Sequence, residues 1–238
     1  MHRHLSRGLP ALLAAALACS AGRPDPSSDS RADTSAMTTD SAWQALFDGT
    51  STEAWRGYQM AGFPAGWQIE NGTLVRAAEA GDIITKEQYG DFDLEFEWMV
   101  PTGGNSGIMY RVTEADSATY RTGPEYQVLD DAAHADGANP LTSAGAAYGF
   151  HATPKGLVKP AGEWNSGRIV ARGNHIEHWL NGTRALEYEI GSPDWEAKLK
   201  ASKFDAWKGY GRSARGHIAL QDHGDRVAFR NIRIRPLP

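Results

Sequence analysis

The chain contains very little cysteine: Cys19 is the single one in 238 residues. One cysteine cannot form an intramolecular disulfide, so a hydrophobic core must hold the folded part together. Positive charge is also in short supply, because 24 Lys and Arg face 29 Asp and Glu, for a net charge of −5. Proteins that bind nucleic acid usually carry a basic patch, so we expect no nucleic-acid partner.

Long hydrophobic runs are absent as well. The clearest apolar run, residues 9–18, follows Arg3 and Arg7 and is too short to span a bilayer, which is typical of a secretory signal. It ends in the letters ALAC at Cys19, and this ending resembles the lipobox of bacterial lipoproteins. The resemblance implies a lipoprotein signal peptide over residues 1–19, lipidation of Cys19, and an exported protein anchored to a membrane of the bacterial cell envelope. An ordinary signal peptide is the alternative, and it also implies export.

Residues 20–42 are rich in Ser, Asp, Thr and Pro and show no hydrophobic period. Such a segment cannot bury enough apolar surface to order itself, so we predict a disordered tether. The folded domain is then residues 43–238. It contains no Gly-rich phosphate loop, no Gly-x-Ser-x-Gly elbow and no dinucleotide fingerprint, which disfavours nucleotide and serine-hydrolase functions.

The folded region is dominated by short alternating segments. In DFDLEFEWMV the apolar residues alternate with four acids, which predicts a half-buried strand whose acids are solvated. Asn71-Gly72 and Asn181-Gly182 each interrupt an alternating segment and predict tight hairpins. Ser192 and Pro193 begin one convincing helix, as N-cap and first helical residue. The pattern predicts an all-β fold, a two-sheet antiparallel jelly-roll sandwich with one short inserted helix.

A series of motifs occurs in a specific order from about Leu46 to the C-terminus: LFDGTSTEAW, GDFDLEFEW, GGNSGIMYR, PEYQVLDD, GEWN, HWLNG and GHIALQDHG. The ordered series resembles the 3-keto-disaccharide hydrolase family. The resemblance implies a concanavalin A-like jelly roll, as in legume lectins and laminarinases. It also implies cleavage of glycosides whose sugar carries a ketone at C3, and hence a carbohydrate substrate.

Strand alternation sorts the candidate site residues. In PEYQVLD, Glu125 and Gln127 face away from Tyr126 and Val128. The same reasoning places further polar side chains on one floor, with others at its rim or on nearby loops. The full set of candidates comprises Asn105, Arg111, Glu125, Gln127, Tyr148, His151, Trp164, Asn165, Gln221 and His223, with Asp222 also at the rim. His217 and His175 are expected at the surface.

The implied chemistry assigns roles within this set. A ketone at C3 acidifies the proton on C2, so a base can remove it, the C1–oxygen bond can break by elimination, and water can then add. The base and the acid are Glu125 and His223 in either order, and Arg111 or a divalent metal would hold the enolate oxygen. We expect the other candidates to bind substrate. No strong metal motif such as His-Glu-x-x-His is present, so the cofactor stays undetermined.

Several alternatives remain open at this point. Arg111 could pair with Glu125 as a structural ion bridge, and Trp164 could belong to the core. A conventional glycoside hydrolase would need two carboxylates across the scissile bond, but Glu125 and Asp130 face opposite ways on a strand. The same floor could also serve a non-catalytic carbohydrate-binding module. A structural or interaction domain would lack a concave polar cluster.

Overall fold

The computed structural model describes residues 42–238. The predicted signal peptide, the lipidation site at Cys19 and the tether up to residue 41 therefore lie outside the described residues and stay predictions. Within residues 42–238, no helix combines the length and the apolar character that crossing a bilayer would require.

The described chain is built mainly from short strands. They are β1 (Gln44–Phe47), β2 (Trp55–Gly57), β3 (Trp67–Glu70), β4 (Thr73–Arg76), β5 (Ile83–Thr85), β6 (Phe92–Met99), β7 (Asn105–Val112), β8 (Glu125–Leu129), β9 (Asn165–Arg172), β10 (His175–Leu180), β11 (Thr183–Glu189), β12 (His217–Leu220) and β13 (Ala228–Pro236). The helix α1 covers Pro193–Lys200, and three short 3-10 helices cover Thr119–Arg121, Ala135–Ala138 and Lys203–Ala206.

The strands form two sheets, and every strand pair is antiparallel. The larger sheet has eight strands in the order β11-β10-β9-β6-β13-β4-β3, with β1 also paired to β13. The smaller sheet has five strands in the order β2-β5-β12-β7-β8. The predicted two-sheet antiparallel jelly-roll sandwich with one helix is confirmed.

Local sequence signals explain the turns and the helix start. Asn71 and Asn181 adopt φ values of 49°, and the glycines that follow them also have positive φ, as tight hairpins between β3 and β4 and between β10 and β11 require. Ser192 caps α1 by accepting the backbone N–H of Trp195 at 3.2 Å. Trp195 and Leu199 are buried and dock the helix on the sandwich.

The core lies between the two sheets. Phe96 of β6 meets Tyr126 of β8 edge to face, with 5.2 Å between ring centroids. The opposite face of β6 carries ion pairs to β13, as expected for Glu95 and Glu97. Asp93 differs from the prediction, since it is 1% exposed. Two arginines, from β9 and β13, satisfy its carboxylate.

β8 is the edge strand of the smaller sheet, and a loop covers its open side. The backbone N–H of Gln127 donates to the Ala146 carbonyl at 3.1 Å, and the N–H of Tyr148 donates to the Glu125 carbonyl at 3.1 Å. The loop satisfies N–H and C=O groups of β8 that would otherwise be free to pair with another strand. It also brings Tyr148 next to the side chain of Glu125.

Candidate active site

A cavity of about 370 Å³ lies on the five-stranded sheet, on the face turned away from the core. This volume is near the lower end of the roughly 300–1,000 Å³ range of small-molecule sites. The strands β7 and β8, the residues after β12 and the segment after α1 provide its walls. The lining residues are Asn105, Tyr120, Glu125, Gln127, Tyr148, Lys203, Phe204, Trp207, Gln221 and His223.

Glu125 is the most buried ionisable residue that lines this cavity. The residue is 8% exposed, and its carboxyl group makes no hydrogen bond to another residue of the described chain. The pKa of Glu125 is raised to about 8: burial is the main cause, the charge of Asp82 adds to the rise, and the charge of Lys203 acts against it. Gly107 makes room for the carboxyl group, because a Cβ at that position would lie 2.0 Å from Glu125 Oε1.

Three amide side chains complete the floor. Asn105 and Gln127 are 3% and 1% exposed, and Gln221 directly follows β12. The oxygens Asn105 Oδ1, Gln127 Oε1 and Gln221 Oε1 are buried and have no hydrogen-bond partner within residues 42–238. Buried acceptors need hydrogen-bond donors, so a cluster of three at one cavity suits the binding of a polar molecule that carries hydroxyl groups.

His223 stands at the rim and is exposed. Its Nε2 atom lies 3.5 Å from Asn105 Nδ2, and His134 Nε2 lies at the same distance from that nitrogen. His134 is fixed by accepting the backbone N–H of Asp136 on Nδ1 at 3.1 Å. The two rings thus bracket the Asn105 amide at the edge of the cavity.

Four lining residues are not predicted from the sequence: Tyr120, Lys203, Phe204 and Trp207. Tyr120 comes from the 3-10 helix before β8, and the other three follow α1. Lys203 is the one Lys or Arg that lines the cavity in the described chain, and its Nζ lies 5.0 Å from the Tyr148 ring centroid. Neither segment has a strand period, so alternation could not place these residues. The nearest sequence signal was the Ser202 cap, whose hydroxyl accepts the Phe204 N–H at 3.2 Å.

The prediction that Arg111 shares the floor with Glu125 is wrong. Ala219 pairs with Met109 and His217 pairs with Val112, so two residues of β7 lie opposite the single residue of β12 between these pairs, which marks a β-bulge. Arg111 sits in this bulge with φ of 54°, and the alternation of side chains is interrupted there. Its guanidinium group instead donates to the Gly90 carbonyl at 3.1 Å and pairs with Asp91 at 3.3 Å.

Three further predicted substrate-binding residues lie away from the cavity. The ring of His151 stacks on Tyr188, and His151 Nδ1 lies 3.2 Å from Lys198 Nζ. Burial lowers the pKa of His151 to about 4. Trp164 is half-buried beneath the guanidinium group of Arg230, whose carbon lies 4.1 Å from the ring centroid. His151 therefore packs against β11 and α1, and Trp164 packs against β13 of the larger sheet.

Asn165 is the third of them, on β9 of the larger sheet. Its Oδ1 atom accepts the Lys159 N–H and the Asn181 amide, both at 2.8 Å.

Two other residues, His217 and Asp222, have surroundings that differ from those predicted. His217 is buried, with Nδ1 donating to the Thr85 carbonyl at 2.7 Å. Asp222 pairs with Arg76 at 2.6 Å and accepts three backbone N–H groups, which is a structural role.

The cavity is not the largest depression on the described surface. A groove of about 740 Å³ crosses the outer face of the larger sheet and includes Glu95, Arg168 and Arg233. Its two arginines are already paired, Arg168 with Asp93 and Arg233 with Glu95. Because unpaired buried polar groups indicate a ligand site better than size does, we assign the candidate active site to the smaller cavity.

A metal could enter this cavity only through a mixed set of donors, since Glu125 is its one lining carboxylate within residues 42–238. In that part of the chain, one group of three carboxylate or imidazole ligands lies within 4.8 Å: His175, Glu177 and Glu187. It lies on β10 and β11, away from the cavity, and Arg184 pairs with its acids.

Comparisons with known proteins agree with this description. The model of the 3-keto-alpha-glucoside-1,2-lyase-like domain matches residues 42–235. A curated relative, 3-keto-disaccharide hydrolase from Bacteroides thetaiotaomicron, is 36% identical over 225 residues, which cover 81% of this chain and 77% of the relative.

Solved structures give the same result. The crystal structure of a candidate glycosyl hydrolase from Parabacteroides distasonis has a TM-score of 0.77 at 33% identity, with 82% of this chain and 94% of that one covered. A second candidate glycosyl hydrolase from the same organism has a TM-score of 0.67 at 30% identity, with 82% and 100% covered. The chain therefore belongs to the 3-keto-alpha-glucoside-1,2-lyase-like domain family.

Proposed function

We propose that the protein cleaves the glycosidic bond of 3-keto-glycosides by elimination followed by hydration. The observation that carries the proposal is Glu125, a buried carboxyl with a raised pKa and no hydrogen-bond partner within residues 42–238, which faces a cavity whose floor amides have unpartnered oxygens in the same range. The relative named 3-keto-disaccharide hydrolase supports glycoside cleavage and a carbohydrate substrate. Export and anchoring through Cys19 remain part of the proposal.

Glu125 acts as the base in this proposal. A carboxylate that is desolvated and lacks hydrogen bonds is a stronger base than one in water, and a pKa of about 8 is close to a working pH near neutrality. The oxidised sugar lies on the floor, where Asn105, Gln127 and Gln221 bind its oxygens. This places the proton on C2 next to Glu125.

His223 and Lys203 supply the remaining two groups. The bond that breaks joins the sugar on the floor to a leaving group directed toward the mouth, so the acid belongs at the rim, where His223 lies. Lys203 takes the role predicted for Arg111, because a cation at the cavity stabilises the negative charge that develops on the C3 oxygen. A divalent metal is the alternative source of this charge, and it would be held by amide oxygens of the floor and not by Glu125, which has to stay free as the base.

The steps balance without an external oxidant. Glu125 takes the C2 proton, and the C–H electron pair moves to form the enolate at C3. The pair then returns to form a C1–C2 double bond, the C1–oxygen bond breaks, and His223 protonates the leaving oxygen. Water adds its oxygen to C1 and gives a proton to His223, which restores the acid, and protonated Glu125 returns a proton to C2. The net result is hydrolysis to a 3-keto sugar and an alcohol.

Conventional hydrolysis fits the cavity less well. That mechanism needs two carboxyl groups roughly 5–9 Å apart across the scissile bond. Among the described residues that line the cavity, Glu125 is the one carboxyl group. An acidified C2 proton removes the need for a second carboxylate, since the ketone stabilises the charge.

Matched glycosides with and without oxidation at C3 test the proposal, each incubated with the purified protein with and without a chelator. We expect release from the oxidised glycoside alone, exchange of its C2 proton with deuterated water, and loss of both in Glu125→Gln. Glu53→Gln, an exposed glutamate far from the cavity, is the matched control. Cleavage of the unoxidised glycoside would contradict the proposal, as would binding without turnover.

A further inference from the structure

One carboxylate next to the cavity has no function in the proposed chemistry. Asp82 directly precedes β5 and is half-buried, and it is not among the residues that line the cavity. Its side chain nevertheless contacts two segments that do contribute lining residues. One is the turn after β12, which carries Gln221 and His223, and the other is the 3-10 helix Thr119–Arg121, which carries Tyr120.

Each oxygen of the Asp82 carboxylate holds one of these segments. Asp82 Oδ1 accepts the backbone N–H of Asp222 at 2.8 Å, and Asp222 directly precedes His223. Asp82 Oδ2 accepts the hydroxyl group of Thr119, which is fully buried and directly precedes Tyr120. Because both acceptor atoms belong to one planar group, the two walls of the cavity are held relative to each other.

A second set of hydrogen bonds joins the same two parts of the chain in the other direction. The Asp222 carboxylate accepts the backbone N–H groups of Ala80 at 2.8 Å and of Gly81 at 2.9 Å. It also pairs with Arg76 at 2.6 Å. A network of this kind restrains the backbone at Asp222 more than one contact would.

This restraint matters for His223 because the imidazole ring is exposed. Its Nε2 atom lies 3.5 Å from Asn105 Nδ2, which is long for a hydrogen bond. Burial raises the pKa of Asp82, and the charge of His223 opposes the rise, so the two groups are near enough to interact. The direction of the His223 ring therefore depends on the backbone that Asp82 holds.

We infer that Asp82 is a positioning residue, which holds the turn after β12 so that His223 reaches the leaving oxygen. The inference rests on the proposed function, in which His223 is the acid. A poor leaving group such as methanol needs that proton, whereas nitrophenolate departs without it. A displaced His223 should therefore slow the release of methanol selectively, and removal of the C2 proton by Glu125 should continue.

The test compares Asp82→Ala with Asp82→Asn on the methyl and nitrophenyl glycosides of one 3-keto sugar. Asparagine keeps an acceptor for the Asp222 N–H and a donor for the Thr119 hydroxyl, so it loses the charge alone, whereas alanine also loses both hydrogen bonds. On the methyl glycoside, kcat of Asp82→Ala should fall about a hundredfold below that of Asp82→Asn, the order that a misplaced reacting group costs. The two variants should be alike on the nitrophenyl glycoside and in exchange of the C2 proton with deuterated water.

Asp48→Ala is the matched control, since Asp48 also accepts one backbone N–H and one hydroxyl, both from Thr50, in an exposed turn. It should leave every rate unchanged. Equal losses on both glycosides, or no loss in a folded Asp82→Ala protein, would overturn the inference. If Asp82→Ala does not fold, Thr119→Val removes one of the two hydrogen bonds and should give a smaller loss with the same selectivity, and a loss without selectivity would overturn the inference.

NMR separates this inference from the proposed function. If the wild-type protein neither cleaves the oxidised glycosides nor exchanges the C2 proton, the proposed function fails and the ring signal of His223 decides the positioning. Once assigned with His223→Gln, that signal should shift and broaden in Asp82→Ala and return to its wild-type position in Asp82→Asn. A signal that Asp82→Ala leaves unchanged would overturn the positioning role.

Discussion

Glu125 is buried, its carboxyl group has no hydrogen-bond partner in the described part of the chain, and this combination sets its chemistry. Desolvation is the main cause of its raised pKa, and the nearby carboxyl of Asp82 adds to it. Asp222 is the instructive contrast, because an arginine and several backbone N–H groups satisfy it and its pKa is lowered. Hydrogen bonding thus separates a reactive carboxyl from a structural one in the same chain.

The pH dependence of activity follows from the pKa of Glu125. If Glu125 is the base, only its ionised form is active, so kcat/KM should rise about tenfold per pH unit below pH 8 and level off near that value. Steady-state rates on a 3-keto-glycoside between pH 5 and about 9 would measure this. A profile that is level below pH 8 and falls above it would assign Glu125 as the acid instead.

The unfolding free energy should fall as pH rises, whereas kcat/KM should increase. A free glutamate titrates near pH ~4.3, whereas folded Glu125 titrates at about 8, so between these values the folded state holds a proton that the unfolded state has lost. The contribution of Glu125 to the unfolding free energy therefore falls as pH rises through this window, by on the order of 1 kcal/mol per pH unit.

The substitution Glu125→Gln removes the titrating group, and with it the loss of unfolding free energy that Glu125 causes at rising pH. We expect the variant to match the wild-type protein near pH ~4.5 and to become the more stable of the two toward pH ~8. Denaturant unfolding at several pH values measures the difference. A gap that stays constant with pH would contradict the raised pKa.

Lys203 gives a second prediction at this scale. Its loss should lower kcat by about a hundredfold, the order found when one electrostatic partner of a developing oxyanion is removed. Lys203→Met keeps the length of the side chain, and Lys200→Met, exposed on α1, is the matched control. Equal rates for both variants would exclude Lys203 from the reaction.

At the scale of elements, β7 and β8 build the site together. Ser106 Oγ donates to the Gln221 carbonyl at 2.8 Å, and the Gln221 N–H donates to the Gly107 carbonyl at 3.0 Å, so β7 also positions the residue that follows β12. The bulge at Arg111 then redirects the end of the strand. The order of the site therefore depends on the register of the small sheet.

Gly107→Ala tests the contact between β7 and β8. The backbone at Gly107 does not require glycine, but a methyl group would collide with the Glu125 carboxyl and displace it. We expect kcat to fall nearly as far as in Glu125→Gln while the unfolding midpoint changes little. Gly62→Ala is the control, because a Cβ there meets no atom within 4 Å. Full activity in Gly107→Ala would show that the carboxyl need not occupy its observed position.

At the scale of the whole molecule, the folded domain accounts for the proposed activity without the N-terminal region. The family model covers residues 42–235, which include every cavity-lining residue. We expect a chain that begins at residue 42 to fold and to retain kcat/KM on a soluble 3-keto-glycoside. Circular dichroism and steady-state rates measure this. A large loss of activity in a folded product would show that residues 1–41 contribute to the site.

The sequence alone determined the features that depend on neighbouring residues. Alternation placed Glu125 and Gln127 on one face of a strand, the Asn-Gly pairs fixed two hairpins, and Ser192 marked the helix start. The ordered motifs also identified the family, and the family comparison confirmed it. Each of these signals lies within a short stretch of sequence, so it can be recognised before the tertiary structure is known.

Only the tertiary structure decided which distant side chains meet. Arg111 left the predicted floor because one bulge reverses alternation, and Trp164 and Asn165 pack on the other sheet. Lys203 and Trp207 entered the cavity from a segment with no strand period, which no local pattern connects to β8. A local pattern fixes the direction of a side chain along its own strand, but the packing of separate segments fixes what it faces.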